Sequence, residues 1–251
     1  MPTIDDPIAF ELFKNSIFSI ADEMALTICR TTYSGVLRDN MDFSTAFADK
    51  NGKLVAQGLT LPAHLGSIPT ALEVVVERFG EAMQPEDMYI MNDPFDGGMH
   101  LPDIFIFKPI FCEGDRIAFA ATICHHADVG GAAVGSMSGG LDEIYKEGLR
   151  IPIVRLFSNG VLQDDIMRLL LLNMRLPEER KGDLNAQIAA AKLGNRRLGE
   201  FLEAQGADYT VRVFDEIIER TNRRMRAAIR TLPNGVYEFH DVMDDDGASS
   251  S

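Results

Sequence analysis

The stretch IFIFKPIFCEGDRIAFAATIC, residues 104–124, decides the fold because it predicts two strands joined by a turn. Its apolar runs 104–110 and 116–124 flank CEGD (112–115), a hairpin signal. Continuous apolarity in both runs predicts strands that are covered on both faces. In an antiparallel hairpin, the start of the first strand neighbours the end of the second. Residues just before 104 and just after 124 are therefore expected to meet at one end of a sheet.

Groups able to bind a metal stand at both of these ends. His100 and Asp103 lie in NDPFDGGMHLPD (92–103), and His125 begins HHADVGG (125–131). Three of the chain's five histidines fall between residues 100 and 126. Imidazole and carboxylate are ligands that suit Zn, Mn or Fe. The pattern predicts a metal-dependent active site at His100, Asp103 and His125; the alternative is three polar residues that cap turns.

Four further residues are candidates for the chemistry of this site. His126 points to the opposite side from His125 if the segment is extended, and it is then a candidate for acid–base catalysis, for supporting a ligand or simply for packing. Asp128 is a candidate for orienting a ligand imidazole. Asp39 and Asp42, in RDNMDFS (38–44), each offer a fourth ligand, or are both solvated turn residues.

Seven residues are candidates for binding substrate. Glycines let the backbone approach a small ion or a charged substrate closely. His64 lies between two prolines and lines either a cleft or the core, and Glu147 and Arg150 bind substrate or form a local ion pair. The Asn-Asp-Pro run is also a plain turn signal. The full set is Asn92, Asp93, Gly97, Gly98, His64, Glu147 and Arg150.

The rest of the chain predicts an α+β fold, with a mixed or antiparallel sheet with hairpins in the first two-thirds and a helical segment in the last third. Ile8, Leu12, Ile17, Ile20, Met24 and Ile28 indicate a helix over 6–32. Predicted strands cover 43–48, 53–57, 88–91, 151–157 and 237–242, and predicted helices cover 70–79, 164–174, 177–204 and 208–230. We predict a mixed α/β region with the metal site (1–162), a helical region (163–232) and the start of a further strand plus a polar tail (233–251).

Composition narrows the functional classes. The net charge of −14 argues against a nucleic-acid or anionic-membrane partner, which would need clustered Lys and Arg. No apolar run is long enough for a membrane span. Three cysteines without a signal peptide point to a reduced, cytoplasmic compartment. The chain has no P-loop and no G-x-S-x-G elbow, so any nucleotide chemistry must come largely from elsewhere.

Taken together, four motifs resemble the hydantoinase B/oxoprolinase family. They are DFS (42–44), NDPFDGGMHLPD (92–103), HHADVGG (125–131) and EGLRIP (147–152), and they occur in the family's order. The resemblance spans residues 5–240. Family members are markedly longer, so the chain is expected to match their N-terminal half, as a truncated product or one piece of a split subunit.

The resemblance implies a division of labour between two subunits. A hydantoinase A-type partner with an actin-like nucleotide fold uses ATP to phosphorylate the substrate, and the B-type subunit acts on the product at a metal site. The implied ligands match His100, Asp103 and His125, with an acid at Asp39 or Asp42.

The leading hypothesis is a cytoplasmic, hetero-oligomeric hydrolase of cyclic amides that uses a divalent metal (Zn, Mn or Fe) and ATP supplied through its partner. The same resemblance leaves open an ATP-dependent ketone carboxylase subunit. A third possibility is a non-catalytic fragment that retains the first half of the fold.

Overall fold

The structure, a computed structural model, describes residues 6–242 and confirms an α+β fold in this part of the chain. Its helices are α1 Pro7–Thr31, α2 Gly35–Arg38, α3 Ile68–Phe79, α4 Ile144–Glu147, α5 Asp164–Asn173, α6 Pro177–Gln205 and α7 Ala207–Ile229. Its strands are β1 Phe43–Asp49, β2 Leu54–Gln57, β3 Met88–Met91, β4 Asp103–Cys112, β5 Asp115–His125, β6 Val154–Ser158 and β7 Val161–Leu162. Short 3₁₀ turns lie at Pro62–Gly66, Gly80–Ala82 and Pro94–Asp96.

The described strands form one antiparallel sheet in the order β2-β1-β5-β4-β3-β6-β7. The predicted hairpin 104–124 is confirmed as β4 and β5, and the predicted hairpin before it as β1 and β2. Between β4 and β5 the chain turns through Glu113 and Gly114, both at positive φ (53° and 91°). Both central residues of a type I′ turn need this conformation, and such a turn matches the right-handed twist of the strands.

Helices cover both faces of the central strands, as their continuous apolarity predicts. On one face, α3 packs Leu72 and Val75 against Phe105 and Phe119 of the sheet. On the other face, α1 and α6 pack against the β1 and β5 side chains around Phe47. The sheet is therefore a buried middle layer, and its strand ends are the places where polar side chains can meet solvent.

Helix α1 begins as the sequence predicts but buries a different stripe in its first turns. Asp6 caps it by accepting from the backbone N–H groups of residues 8 and 9. Ile8 and Leu12 are 70% and 65% exposed, whereas Phe10 and Phe13 are buried. The buried face of α1 follows helical steps of three and four residues, at positions 10, 13, 17, 20, 24 and 28. The predicted stripe contains a step of five residues, from 12 to 17, so its first two residues lie off this buried face.

Two other predictions differ from the structure. Residues 237–242, where we predict a strand, form none, because no described strand pairs with them and isolated strands leave their backbone groups unpaired. The predicted strand 151–157 begins only at Val154, since the Ile151 carbonyl instead accepts from the backbone of Asn92 and Asp93.

A boundary between Ile218 and Glu219 separates two compact units of the chain. The three-part division predicted from the sequence stays a prediction. Among the described residues no helix has the length and apolarity needed to cross a membrane.

Candidate metal centre

Three neighbouring strands bring Asp42, His125 and Asp103 into one row at the end of the sheet. Asp103 begins β4 and faces His125 at the end of β5, and the His125 N–H donates to the Asp42 carbonyl at 3.0 Å. Side chains alternate between the faces of a strand, so all three lie on the face covered by α3.

Asp103 lies at the centre of this row and is fully buried. Its Oδ1 lies 2.7 Å from Nδ1 of His125. Its Oδ2 accepts from the backbone N–H of His100 at 3.0 Å and lies 2.9 Å from Nδ1 of the same residue. One carboxylate thus holds both imidazoles that are predicted as ligands. The His100 side chain is largely exposed, whereas that of His125 is mostly buried.

His64, which the sequence predicts as a substrate-binding residue, is a fourth member of the row. The turn Pro62–Gly66 places its Nδ1 3.2 Å from Ser44 Oγ. Its Nε2 lies 3.5 Å from Asp42 Oδ1 and 3.8 Å from Asp103 Oδ1. The only sequence signal for this placement was the pair of prolines around His64, because its approach depends on how α3 packs on the sheet.

The charges in this cluster shift one another's pKa values. Burial favours neutral Asp103, but the hydrogen bond and positive charge of His125 outweigh it and lower the pKa of the carboxyl. Burial also disfavours a charged His125, yet its bond to Asp103 raises the pKa of this imidazole. At His64 burial dominates and lowers the pKa, which favours the neutral imidazole that can bind a metal.

These residues fit a divalent ion. One donor atom from each of His100, Asp103 and His125 lies within 4.8 Å of the others. Ligands held at about 2.0–2.2 Å from one tetrahedral ion are about 3.3–3.6 Å apart. The two His64 separations, 3.5 and 3.8 Å, are too long for good hydrogen bonds but close to this spacing.

Of the two acids that the sequence left open, only Asp42 lies in the cluster. The Asp39 carboxylate is mostly exposed and forms a bidentate pair with Arg38, at 3.0 Å to Nε and 3.1 Å to Nη2. The structure therefore brings together His100, Asp103, His125, Asp42 and His64, and leaves Asp39 outside.

Comparison with known proteins identifies the family. A family model described as hydantoinase B/oxoprolinase matches residues 6–250. The chain belongs to the hydantoinase B/oxoprolinase family. It is 35% identical over 242 residues to the beta subunit of caprolactamase from Pseudomonas jessenii, covering 96% of this chain and 42% of that protein. It is 31% identical over 245 residues to the B subunit of a putative D-/L-hydantoinase from Pseudomonas sp. (strain NS671), covering 95% and 41%.

Solved structures agree with this membership. The crystal structure of ATP-dependent caprolactamase from Pseudomonas jessenii matches with a TM-score of 0.90 at 33% identity, over 98% of this chain and 42% of that one. A nucleotide-free acetone carboxylase structure shares the fold, with a TM-score of 0.82 at 20% identity over 86% and 29%. The chain spans about two fifths of the length of the caprolactamase and hydantoinase subunits named above.

The two residues predicted as catalytic, His126 and Asp128, lie outside this metal-binding cluster. His126 is fully buried on the opposite face of the sheet, where its Nε2 lies 3.3 Å from Gln187 Oε1. Burial lowers its pKa to about 4, so this imidazole is neutral at pH 7. In this position it cannot exchange protons with a molecule bound at His100 or His125.

Asp128 orders a loop instead of orienting an imidazole. Its Oδ1 accepts from the backbone N–H groups of Gly130 and Arg175, at 2.8 and 3.1 Å. Its Oδ2 accepts from Gly135 N–H at 2.9 Å and from Arg175 Nη1 at 3.0 Å. Arg175 also donates to three carbonyl groups of the loop. Arg175 could not be found from the sequence, because no local signal links it to residue 128.

Most of the predicted substrate residues build the loop that carries His100. The buried Asn92 amide donates to the carbonyls of Leu101 and Leu149, at 2.6 and 2.9 Å, and accepts from Ile151 N–H at 2.6 Å. Asp93 pairs with Arg150 at 3.3 Å, so Arg150 forms the local ion pair that was the alternative to substrate binding.

The two predicted glycines allow close backbone approaches within the protein. A Cβ on Gly97 would lie 2.7 Å from Ala71 N, and one on Gly98 would lie 2.6 Å from the Asn92 carbonyl oxygen. They are therefore needed for packing of the loop against α3 and against its own first residues.

Glu147 does share a cleft with the cluster. A cleft of about 460 Å³ is lined by His100 and Glu147, together with Pro102, Ser136, Met137, Ser138, Gly139 and Leu141. Its lining combines the apolar side chains of Met137 and Leu141 with polar ones that include His100 and Glu147. No ion pair involves Glu147 among the part of the chain that the structure describes.

Proposed function

We propose that this chain supplies the metal-binding, hydrolytic part of an ATP-dependent cyclic amidase. The observation that carries the proposal is the buried Asp103 carboxylate between the His100 and His125 imidazoles, with Asp42 and His64 beside it. Membership of the hydantoinase B/oxoprolinase family and the likeness to one chain of a caprolactamase support the substrate class.

His100, Asp103 and His125 would hold a divalent ion of Zn, Mn or Fe, with Asp42 as the further acid. Such an ion, when bound, activates water near neutral pH and offsets negative charge on the substrate. Asp103 fixes the rotation of both imidazoles through their Nδ1 atoms, and Asp42 adds a second negative charge. The two carboxylates thereby partly balance the charge of a divalent ion.

The cleft beside His100 would receive the cyclic amide. Its apolar side chains, those of Met137 and Leu141, suit the ring methylene groups. Glu147 would stabilise the protonated ring nitrogen of the O-phosphorylated amide by accepting a hydrogen bond from it. Such an arrangement turns the amide carbon toward the imidazoles and excludes part of the bulk water from the reacting bond.

The energy for ring opening would come from a partner. We infer a hydantoinase A-type protein with an actin-like nucleotide fold, which uses ATP to phosphorylate the amide oxygen before this chain acts. The relatives named as the beta subunit of a caprolactamase and the B subunit of a hydantoinase support such a hetero-oligomer.

The test is His100→Ala in the reconstituted complex with ATP and a panel of lactam, hydantoin and 5-oxoproline. We expect hydrolysis to fall by more than about a hundredfold, while phosphorylation by the partner continues. Asp39→Asn is the control and should retain both activities. Parallel loss of both activities would place the defect in folding or assembly. Bicarbonate-dependent carboxylation of a ketone by the wild-type complex, without amide hydrolysis, would replace the amidase assignment.

A further inference from the structure

A buried amide lies on the sheet face opposite to the metal-binding cluster. Gln187 belongs to α6, which packs against β4 and β5, and its side chain is fully buried. Its Nε2 donates to the carbonyl oxygens of Ile104 at 2.7 Å and Thr122 at 3.3 Å. Its Oε1 lies 3.3 Å from Nε2 of His126. One side chain therefore contacts both strands that carry the predicted ligands.

These contacts fix the orientation of the amide. Carbonyl oxygens only accept hydrogen bonds, so the NH₂ group must face Ile104 and Thr122. The Oε1 atom then faces His126, whose Nε2 must carry the proton that it donates. The Nδ1 atom of His126 has no hydrogen-bond partner among the described residues, so Gln187 is the anchor of this ring there.

Two of the three contacted residues are direct neighbours of the predicted ligands. Ile104 follows Asp103, and His126 follows His125. Successive side chains of a strand point to opposite faces, so a clamp on 104 and 126 fixes the backbone that presents 103 and 125. A shift of either strand end by a fraction of an ångström would change the 2.7 Å contact between Asp103 and His125.

We infer that Gln187 is a positioning residue for the metal centre, which it reaches through the strand ends. The inference rests on the proposed function for its metal, but the alignment of Asp103 with His125 can be measured without one. Removing the amide would take one hydrogen bond from each of two strand carbonyls and would leave the buried His126 ring without its partner among the described residues. We expect the strand ends to shift in response, because a buried polar group without a partner is destabilising.

The test is Gln187→Met, which keeps the length of the side chain and removes its donor and acceptor. The first readout is the Zn²⁺ or Mn²⁺ affinity of the chelator-treated full chain, measured by calorimetry, which we expect to fall about 10- to 100-fold. The second is the proton NMR signal of the His125 Nδ1–H bonded to Asp103, followed in metal-free protein. We expect this signal to broaden or disappear through faster exchange.

Two control variants separate positioning from general loss of stability. Leu198→Ala removes buried apolar contacts from the same helix without touching the strand ends. Gln163→Met makes the same chemical change at an exposed amide that donates to the Val161 carbonyl. Both should keep the metal affinity and the His125 signal. If Gln187→Met does not fold, Gln187→Glu retains the acceptor for His126 and should show a smaller loss of both.

Wild-type affinity and an unchanged His125 signal in Gln187→Met would overturn the inference, as would equal losses in Leu198→Ala. Metal binding and alignment can also fail separately. If the wild type binds no metal but the His125 signal is lost only in the Gln187 variants, Gln187 still aligns Asp103 with His125, whereas the proposed function is wrong.

Discussion

Asp42 and Asp39, only three residues apart, lie in different environments. Asp42 precedes β1 and so lies beside His125 and near His64, whereas Asp39 ends the short helix α2 and pairs with Arg38 in solvent. The difference arises from the pairing of β1 with β5, which no local pattern specifies.

We therefore predict that Asp42→Asn lowers the affinity for Zn²⁺ or Mn²⁺ by about tenfold or more, because it removes a negative charge at the cluster. Asp39→Asn, the matched control, should bind like the wild type. Competition titration against a chromophoric chelator measures both. The opposite ranking would assign the fourth ligand to Asp39.

Asp183 is a second buried carboxylate, and it fixes α6 to the chain after α1. Its Oδ1 accepts from Thr32 Oγ1 at 2.5 Å and from the backbone N–H groups of Tyr33 and Ser34, and its Oδ2 lies 3.2 Å from Arg180. Arg180 is itself only 1% exposed.

Replacing Asp183 by Asn should lower the free energy of unfolding by about 1.5–3 kcal/mol, because it weakens the charge-assisted hydrogen bonds of this buried carboxylate, while Arg180 keeps its pair with Glu179. Urea unfolding at pH 7 measures the change. Asp165→Asn is the control, since its pair with Arg168 is exposed and worth less than about 1 kcal/mol. Equal effects of the two substitutions would contradict a buried network.

The same carboxylate predicts a pH dependence. Burial would raise the pKa of Asp183, but its bonds to Thr32, Ser34 and Tyr33 outweigh burial and lower it. A lowered folded-state pKa means that the stabilisation is complete above the unfolded value, about 3.9, and is lost as the pH falls through the folded one. Unfolding free energies measured between pH 6 and pH 3 should therefore fall more steeply in the wild type than in Asp183→Asn.

At the scale of elements, the β3–β4 connection packs against the start of α3. Gly97 has a φ of +92°, and its missing side chain leaves room for the backbone of residues 70 and 71. This approach holds the loop that carries His100 and Asp103 next to the helix that follows His64.

Gly97→Ala should lower the unfolding free energy by about 1–3 kcal/mol, because an L side chain is strained at this φ and would contact Ala71 N at 2.7 Å. Gly139→Ala, where nothing lies within 4 Å, is the matched control and should change little. Thermal and urea unfolding measure both. A neutral Gly97→Ala would show that the loop moves freely away from α3.

Elements specified by local sequence could be predicted. The capped start of α1, the Glu113-Gly114 turn and the continuous apolarity of β4 and β5 all act between near neighbours. The hairpin alone brings Asp103 opposite His125, so this half of the site followed from the sequence. Alternation along β5 equally indicates that His126 faces away.

Contacts between distant segments could not be predicted. His64 reaches Asp103 only after α3 has packed on the sheet, and Asp128 binds Arg175 across 47 residues. Residues 237–242 have side chains that favour a strand, but a strand also needs a neighbouring strand to pair with, and composition does not reveal one. Long-range pairing thus decided which polar residues belong to the cluster and which support the loops.

On the scale of the whole molecule, the cluster is built by residues 42–125, all within the unit that ends at Ile218. No residue of 219–242 contributes a group to it among the described contacts. The metal-binding property should therefore belong to the first unit, although the chain spans only about two fifths of the length of the caprolactamase and hydantoinase subunits it resembles.

A metal titration of the purified full chain shows whether this cluster binds a divalent ion. After removal of endogenous metal, calorimetry with Zn²⁺ or Mn²⁺ should give about one ion per chain. His125→Ala should abolish this binding, and Asp39→Asn should not. A wild-type chain that takes up no stoichiometric ion, or a His125→Ala chain that binds as tightly, would contradict the account.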